Sequence, residues 1–224
     1  MNKNIFYFLF AMLVIFSACN RSDDPAYVNQ ENPIVPTGKI VGKVFAKNGV
    51  KTIGGALIFT LGNDGQMYNT YSAADGTFVL EAPTGMRNVQ IQTGTGENFR
   101  TEISVEVKEN QTTTLPADSS KLNQIATMAY VDGTYDEIED IIVSLGYTAT
   151  QISYADLQNM TTISQYDIIF LNCGSRPNNI TAADQVVYDN LGTFVSNGGS
   201  LYASDWSVAY LVGGAQNTTM CNAS

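Results

Sequence analysis

The spacing of apolar residues changes once along this chain of 224 residues, and the change limits what the chain can fold into. Residues 38–116 alternate apolar and polar side chains between turns, a pattern typical of short antiparallel strands with one buried face. From residue 123 onward, continuous apolar runs alternate with stretches of helical spacing. Continuous runs indicate parallel strands buried on both faces, and their alternation with helices indicates a doubly wound sheet. We therefore predict two domains: a β-sandwich at residues 38–116 and an α/β domain with three layers at residues 122–224.

Four strands and two helices account for the pattern beyond residue 123. Gly146 stands where the first helix would end, since glycine accepts the left-handed conformation of a helix C-cap, and Thr181 would cap the start of the second helix. The predicted strands are residues 125–131, 147–152, 166–173 and 200–204, and the predicted helices are residues 134–145 and 181–196. Four strands are few for a doubly wound sheet, so we expect the α/β domain to be truncated in this sequence.

Charge divides the chain at the same place. Residues 38–116 carry seven acidic and seven basic side chains, whereas residues 122–224 carry ten acidic side chains and a single basic one, Arg176. The formal net charge of the whole chain is −10. Nucleic-acid binding requires Lys and Arg to neutralise phosphates, so we expect no nucleic-acid partner. The polar residues 116–120 are the predicted linker between the two domains.

A short apolar segment precedes both domains. Residues 5–16 are continuously apolar and follow Lys3, but these twelve residues are too few to cross a bilayer, because a spanning helix needs roughly 20. The segment is therefore typical of a secretory signal peptide. Residues 16–19, Phe-Ser-Ala-Cys, resemble the lipobox of bacterial lipoproteins. The resemblance implies removal of residues 1–18 and attachment of lipid to Cys19; the alternative is an ordinary signal peptide with an unrelated cysteine.

Residues 19–37 follow the cleavage site and form the predicted flexible tether, since they contain three prolines and no apolar period. The tether starts with residues 20–24, Asn-Arg-Ser-Asp-Asp, which resemble the acidic signal that exports some lipoproteins to the outer face of the outer membrane. The resemblance implies a lipid anchor in the outer membrane and exposure at the cell surface. The alternative is a plain charged tether on an anchor that faces the periplasm.

Three short motifs of the first domain occur in a familiar order. Residues 42–44 (GKV), 72–78 (SAADGTF) and 83–85 (PTG) resemble carboxypeptidase regulatory-like domains, which are transthyretin-like sandwiches also grouped with carbohydrate-binding-like folds. In this family the Asp-Gly-x-Phe turn sends its Phe into the core. The resemblance implies a stalk, a spacer or a binding module. Residues 86–88 depart from it, because the family usually has an aromatic residue after its Pro-x-Gly.

Aromatic side chains give the sandwich an alternative role. Tyr68, Tyr71 and Phe99 lie on predicted strands and would form a face on which sugar rings stack, which would make the sandwich a carbohydrate-binding module. The other interpretation is that these rings are scattered or buried.

The second domain also resembles a known superfamily. Residues 166–171, the helix after them and residues 198–203 (GGSLYA) resemble class I glutamine amidotransferase-like proteins, and the ThuA-like relatives most of all. Catalytic members carry a nucleophilic Cys at the sharp turn after the fourth strand, but here that position is Asp205. The sequence contains no histidine to act as a base, and Cys173 follows the preceding strand. The resemblance therefore implies the fold and not amidotransferase chemistry.

Open α/β sheets bind ligands beyond the carboxyl ends of their strands. The candidate ligand-binding residues at these ends are Asp132, Tyr135, Cys173, Ser204, Asp205 and Trp206. Asp132 and Asp205 have the oxygen ligands that Ca²⁺ or Mg²⁺ prefers, but acidic residues at helix N-termini are also favoured without any metal. We therefore assign no metal site and no cofactor. Cys173 and Cys221 would form a disulfide outside the cytoplasm, or remain thiols.

Together these features favour a non-catalytic, membrane-anchored surface lipoprotein. The sandwich would act as a spacer that presents an acidic α/β domain to an extracellular ligand, either a glycan or a protein. The alternatives are a carbohydrate-binding lipoprotein that uses the sandwich, and a hydrolase of glycan or peptide at the carboxyl edge of the α/β sheet.

Overall fold

The computed structural model describes residues 35–94, 96–174 and 182–208. The predicted signal peptide, Cys19, Thr181 and Cys221 lie outside these residues, as does nearly all of the predicted tether. Within the described residues the protein consists mostly of β-sheet with a smaller share of helix, in agreement with the predicted classes of structure. No helix in that part of the chain is long and apolar enough to cross a bilayer.

Two sheets pack face to face in the first part of the chain, which we call the sandwich part (residues 37–114). The strands are β1 Thr37–Lys43, β2 Leu57–Leu61, β3 Met67–Tyr71, β4 Thr77–Pro83, β5 Gly85–Thr93, β6 Phe99–Val107, β7 Thr112–Thr114 and, from beyond the sandwich part, β8 Asn123–Gln124. One sheet has the order β4-β1-β7, and the other has the order β3-β2-β5-β6-β8. Neighbouring strands run antiparallel except β1 and β7, which are parallel, so the predicted antiparallel pattern fails at that edge.

Alternate residues of each strand form the core between these two sheets. Ile40 and Leu80 come from one sheet, and Ile58 and Ile91 come from the other; all four are 0% exposed. Successive side chains of a strand point to opposite faces, so the residues between them face outward. This is the alternation that the sequence predicts.

The Asp-Gly-x-Phe turn forms as its motif predicts. Asp75 Oδ1 accepts hydrogen bonds from the backbone N–H of Thr77 (3.0 Å) and from its hydroxyl (2.7 Å), and these bonds lower the pKa of the Asp75 carboxyl. Gly76 has a φ of +85°, and a Cβ there would lie 2.8 Å from Val44 O. Phe78 is 4% exposed and joins the core. Glycine is therefore required at this turn both by conformation and by space.

The alternating pattern predicts a strand that starts at residue 88, but β5 starts three residues earlier, at Gly85. The predicted start fails because Arg87, a charged residue, is buried and still forms part of the strand. Its guanidinium donates hydrogen bonds to Pro83 O (3.0 Å) and Asn63 Oδ1 (2.8 Å), which satisfy the buried donors. Sequence alternation alone assigns a charged residue to the surface.

The second part of the described chain, the parallel part (residues 128–208), is a four-stranded parallel sheet with helices on both faces. Its strands are β9 Met128–Val131, β10 Thr150–Ile152, β11 Ile168–Leu171 and β12 Ser200–Ala203, in the order β10-β9-β11-β12. The helices are α1 Ile138–Ser144, α2 Met160–Ile163 and α3 Ala182–Ser196, with short 3-10 helices at Tyr154–Gln158 and Asp205–Val208. α3 packs on one face of the sheet and α1 on the other. Gly146 follows α1 with a φ of +85°, as predicted for a C-cap.

Several predicted bounds in this part were too wide. The strand predicted from residue 125 begins at Met128, because residues 123–124 form β8 and pair with β6 of the sandwich part. The helix predicted from residue 134 begins at Ile138, since residues 132–137 form a loop at the carboxyl edge of the sheet. α2 and the 3-10 helix at Tyr154–Gln158 were not predicted, because both are shorter than two helical turns and leave little period in the sequence.

The two parts are joined by contacts and not only by the chain. The predicted polar linker includes a 3-10 helix, Ala117–Ser120, and the hydroxyl of its buried Ser120 donates a hydrogen bond to Lys43 O (2.8 Å). Asn48 of the sandwich part donates its backbone N–H to Leu145 O (3.0 Å), just after α1. A shared apolar cluster includes Ala46 from the sandwich part and Met128 from β9. The segment between the parts is therefore packed structure.

Candidate functional site

The candidate site lies at one edge of the parallel sheet, where the predicted residues follow the carboxyl ends of three strands. Asp132 follows β9, Cys173 comes two residues after β11, and Ser204 and Asp205 follow β12. These strands are neighbours and run parallel, so their ends meet at the same edge. The candidate residues predicted at the strand ends therefore lie at the same edge of the sheet.

Cys173 and Asp205 are in direct contact. The thiol of Cys173, a residue 5% exposed, donates a hydrogen bond to Asp205 Oδ2 across 3.7 Å. Asp205 has a φ of +41°, uncommon for a residue with a side chain, and it opens the 3-10 helix that follows β12. The backbone thus makes a sharp turn at the position that the amidotransferase-like resemblance assigns to the nucleophile. The side chain that this turn presents is a carboxylate.

The loops after β9 and β11 pack against each other through their backbones. Cys173 O accepts hydrogen bonds from the backbone N–H groups of Thr134 (2.9 Å) and Tyr135 (3.2 Å), and Cys173 N donates to Asp136 Oδ1 (2.5 Å). A Cβ on Gly133 would lie 2.4 Å from Cys173 O. Glycine at position 133 is therefore what allows this close approach of the two loops.

Asn172 belongs to the site, although sequence reasoning missed it. Its side chain is fully buried, and Nδ2 donates to Glu139 Oε2 (2.7 Å). Asn172 O accepts a hydrogen bond from the hydroxyl of Ser207 (2.5 Å). Asn172 Oδ1 is buried and accepts no hydrogen bond from any residue that the structure describes. The sequence did contain a signal for this residue, because Asn172 is a polar residue at the end of a buried apolar run. Buried polar groups need hydrogen-bond partners, so such a residue is a candidate for the site.

Two aromatic rings stand out from this edge into solvent. Tyr135 is 66% exposed and Trp206 is 58% exposed, and their ring centroids are 5.5 Å apart in an edge-to-face arrangement. Aromatic side chains of this size usually bury most of their surface. Trp206, one of the candidate ligand-binding residues, is therefore exposed at this edge and not packed in the core.

The two aspartates considered for a cation have separate partners. Asp132 Oδ1 accepts a hydrogen bond from Gly133 N (2.9 Å), and Asp205 accepts the thiol of Cys173. Among residues 35–94, 96–174 and 182–208, no three acidic, Cys or His side chains are grouped to hold a metal ion. The alternative that Asp132 caps a helix is wrong, because α1 begins six residues later, at Ile138.

The predicted sugar-stacking face of the sandwich part does not form. Tyr68 packs against the sandwich core, whereas Tyr71 is 64% exposed on the opposite side of β3. Phe99 stacks on Tyr147 of the parallel part, with ring centroids 4.7 Å apart. Residues three apart on a strand face opposite sides, so the two tyrosines cannot bind one sugar together.

Cys173 carries a free, buried thiol. The predicted disulfide to Cys221 stays a prediction, because Cys221 lies outside the described residues. Ser204 contributes its backbone to the edge: its N–H donates to Leu171 O (3.0 Å), and its carbonyl accepts from Ser207 N (2.8 Å). These bonds hold the sharp turn at Asp205 against the end of β11.

Comparisons with known proteins give no family for this chain. No family model matches the sequence, and no curated protein matches it. A DUF3823 family protein from Parabacteroides merdae is similar in structure with a TM-score of 0.30 and 15% identity, over 42% of this chain and 49% of that one. The Bacillus anthracis TIE protein has a TM-score of 0.30 and 12% identity, over 46% of this chain and 20% of that one. The matched regions thus span less than half of each solved structure.

Proposed function

We propose that this chain is a non-catalytic lipoprotein anchored by lipid on Cys19 and exposed at the surface of the outer membrane. In this proposal a transthyretin-like sandwich domain of the carboxypeptidase regulatory-like kind is a spacer. It presents a flavodoxin-like, amidotransferase-like α/β domain whose carboxyl edge binds an extracellular glycan. The observation that carries the proposal is the exposed pair of rings, Tyr135 and Trp206, beside the carboxylate of Asp205.

The chemistry of this edge suits a sugar. Exposed aromatic faces stack on the apolar face of a sugar ring, and carboxylates accept hydrogen bonds from its hydroxyls. Asp132 and Asp205 follow β9 and β12 at this edge, on either side of β11, and residues 122–224 are strongly acidic. A neutral or amine-bearing glycan therefore fits this edge better than an acidic one.

The same residues argue against catalysis. The sharp turn after β12 carries Asp205 where a nucleophilic Cys would be needed, and the sequence contains no histidine. The thiol of Cys173 is buried and bonded to Asp205, so a substrate does not reach it from solvent. A binding role needs none of these groups to react.

A glycan array followed by calorimetry tests the binding site. The expected result is that Tyr135→Ala and Trp206→Ala each weaken binding at least tenfold. Tyr71→Ala is the matched control, because Tyr71 is as exposed as Tyr135 (64% against 66%) but lies on the sandwich part. Loss of binding in Tyr71→Ala alone would instead support the carbohydrate-binding sandwich. Turnover of an array glycan that Asp205→Ala abolishes would support the hydrolase.

Anchorage has its own test. Labelled palmitate should be incorporated into the chain in cells and should be absent from Cys19→Ala, which should leave the membrane fraction. Protease added to intact cells should then degrade the anchored protein. Protection from that protease, with the label retained, would support an anchor that faces the periplasm.

A further inference from the structure

An apolar pocket of about 400 Å³ lies between the sandwich part and the parallel part, and none of its described lining residues is a residue of the candidate site. The sandwich part contributes Thr93 and Phe99, α1 contributes Ile141, and the parallel sheet contributes Phe170 and Tyr202. No charged side chain is among its lining residues in the part of the chain that the structure describes. The pocket therefore exists only because the two parts pack together.

α1 is short and forms one wall of the pocket. α1 has seven residues, and its buried residues Ile138 and Ile142 pack in the cluster that includes Met128 of β9. Toward the sheet edge, the rings of Phe170 and Tyr202 are 5.9 Å apart, and Tyr202 is 51% exposed. An apolar surface of this kind costs free energy while it faces water, so an apolar occupant that covers it is stabilised.

We propose that this pocket binds one uncharged apolar small molecule, such as an alkyl chain or an aromatic hydrocarbon. Pockets of roughly 300–1,000 Å³ with mainly apolar walls are the usual sites for small molecules. At roughly 30 Å³ for a water-sized group, the pocket holds about 13 such groups. The ligand is therefore about the size of a decyl chain or a two-ring or three-ring hydrocarbon.

The uncharged lining of the pocket favours an uncharged ligand. A carboxylate or ammonium group taken into an apolar pocket loses its hydration and needs an opposite charge to offset that loss, and none of the described lining residues is charged. The hydroxyl of Tyr147, which also lines the pocket, already donates to Leu122 O across 3.4 Å. A neutral molecule thus fits where a fatty-acid anion does not.

The size of the pocket also excludes a protein partner. A stable protein interface buries about 800 Å² on each side and uses about 20–30 residues of each partner. Twelve residues line this pocket, and five of them are buried. The occupant is accordingly a small molecule and not a second chain.

Fluorescence titration with N-phenyl-1-naphthylamine, a neutral apolar probe, tests this proposal. The full chain would carry Cys19→Ala so that no attached acyl group competes for the pocket. The expected result is saturable binding of one probe per chain, with decanol displacing the probe and decanoate displacing it at least tenfold less well at pH 8. Absence of saturable binding to the folded protein would overturn the proposal.

A pair of variants on α1 locates the binding. Ile141→Lys places a charge on the pocket wall and should weaken probe binding at least tenfold. Val143→Lys is the matched control, since Val143 is similarly exposed on α1 (65% against 61%) but does not line the pocket, and its affinity should stay within twofold. Tyr202→Ala removes the opposite wall and should weaken binding severalfold. Equal affinities in all three variants, each with a cooperative thermal transition, would overturn the assignment to this pocket.

Discussion

The sandwich part and the parallel part bury their cores in different ways. Along β4, Phe78, Leu80 and Ala82 are buried, and the residues between them are exposed. Along β11, Ile168 and its neighbour Ile169 are both buried. The difference follows from the layers, because each sandwich sheet has solvent on one side whereas helices cover both faces of the parallel sheet. An alternating strand thus marks its own register in the sequence, and a continuously apolar strand does not.

The two parts share one apolar cluster. The cluster that includes Ala46, Met128, Ile138 and Tyr147 draws residues from both parts, and Phe99 of β6 packs against it. Two sequence patterns therefore share part of one core.

The largest expected effect comes from the sandwich core. Ile58→Ala removes a fully buried side chain and should lower the free energy of unfolding by about 2–5 kcal/mol. If the shared cluster couples the parts, the loss should also appear in the fluorescence of Trp206, the only tryptophan, which lies in the parallel part. Chemical denaturation followed by Trp206 fluorescence and by circular dichroism measures both.

Ile58→Val is the control for this experiment and should cost about 0.5–1.5 kcal/mol. A Trp206 transition that stays in place while the circular dichroism transition shifts would contradict coupling. That result would show instead that the two predicted domains unfold independently.

Two glycines of the parallel part differ in the space around them, so the same substitution should have opposite effects on stability. Gly133→Ala would put a Cβ 2.4 Å from Cys173 O, a backbone atom, and should destabilise the protein by about 1–3 kcal/mol. Gly192→Ala, on the exposed side of α3 with no atom within 4 Å of its Cβ, should stabilise the protein by about 0.5–1 kcal/mol. Thermal denaturation measures both changes. Equal changes in stability at the two positions would contradict this prediction and would show that the loops at the carboxyl edge move apart to accommodate a Cβ at little cost in free energy.

The smallest expected effect concerns the join between the parts. Burial raises the pKa of the Tyr147 phenol above its usual value of 10.0. Above about pH 10 the unfolded chain releases this proton while the folded chain retains it, so stability is full below pH 10 and falls as the pH rises through the folded pKa. Tyr147→Phe should cost about 0.5–1.5 kcal/mol at pH 8, where it loses the hydrogen bond to Leu122 O.

The gap in unfolding free energy between the wild-type chain and Tyr147→Phe should then narrow between pH 9 and pH 11. Urea denaturation at several pH values measures the gap. A gap that stays constant over this range would mean that the Tyr147 phenol titrates alike in the folded and unfolded chains.

The bounds of strands are easier to predict in the sandwich part than in the parallel part. Strands with one buried face alternate apolar and polar residues, whereas strands buried on both faces do not. In the sandwich part, the predicted start of β5 differs from the observed one by three residues, and the Asp75–Gly76 turn forms as its motif predicts. In the parallel part, the run at residues 125–131 predicts one strand, but the strand begins at Met128, and residues 125–127 connect it to β8 without belonging to either strand. Ile125 and Ala126 are apolar but belong to no strand, so apolar character alone does not mark where the parallel strand begins.

The sequence was enough to predict the order of the four parallel strands and of the two longer helices, the change from alternating to continuous strands, and most of the residues at the carboxyl edge. It could do so because burial on one face or on two leaves a period, and because parallel strands end at one edge. Three features were visible only in the tertiary structure: the hydrogen bond from the Cys173 thiol to Asp205, the burial of Asn172 near that edge, and the stacking of Phe99 on Tyr147. These contacts join residues that are distant in the chain, and their geometry depends on the packing of whole sheets and helices, which no local pattern records.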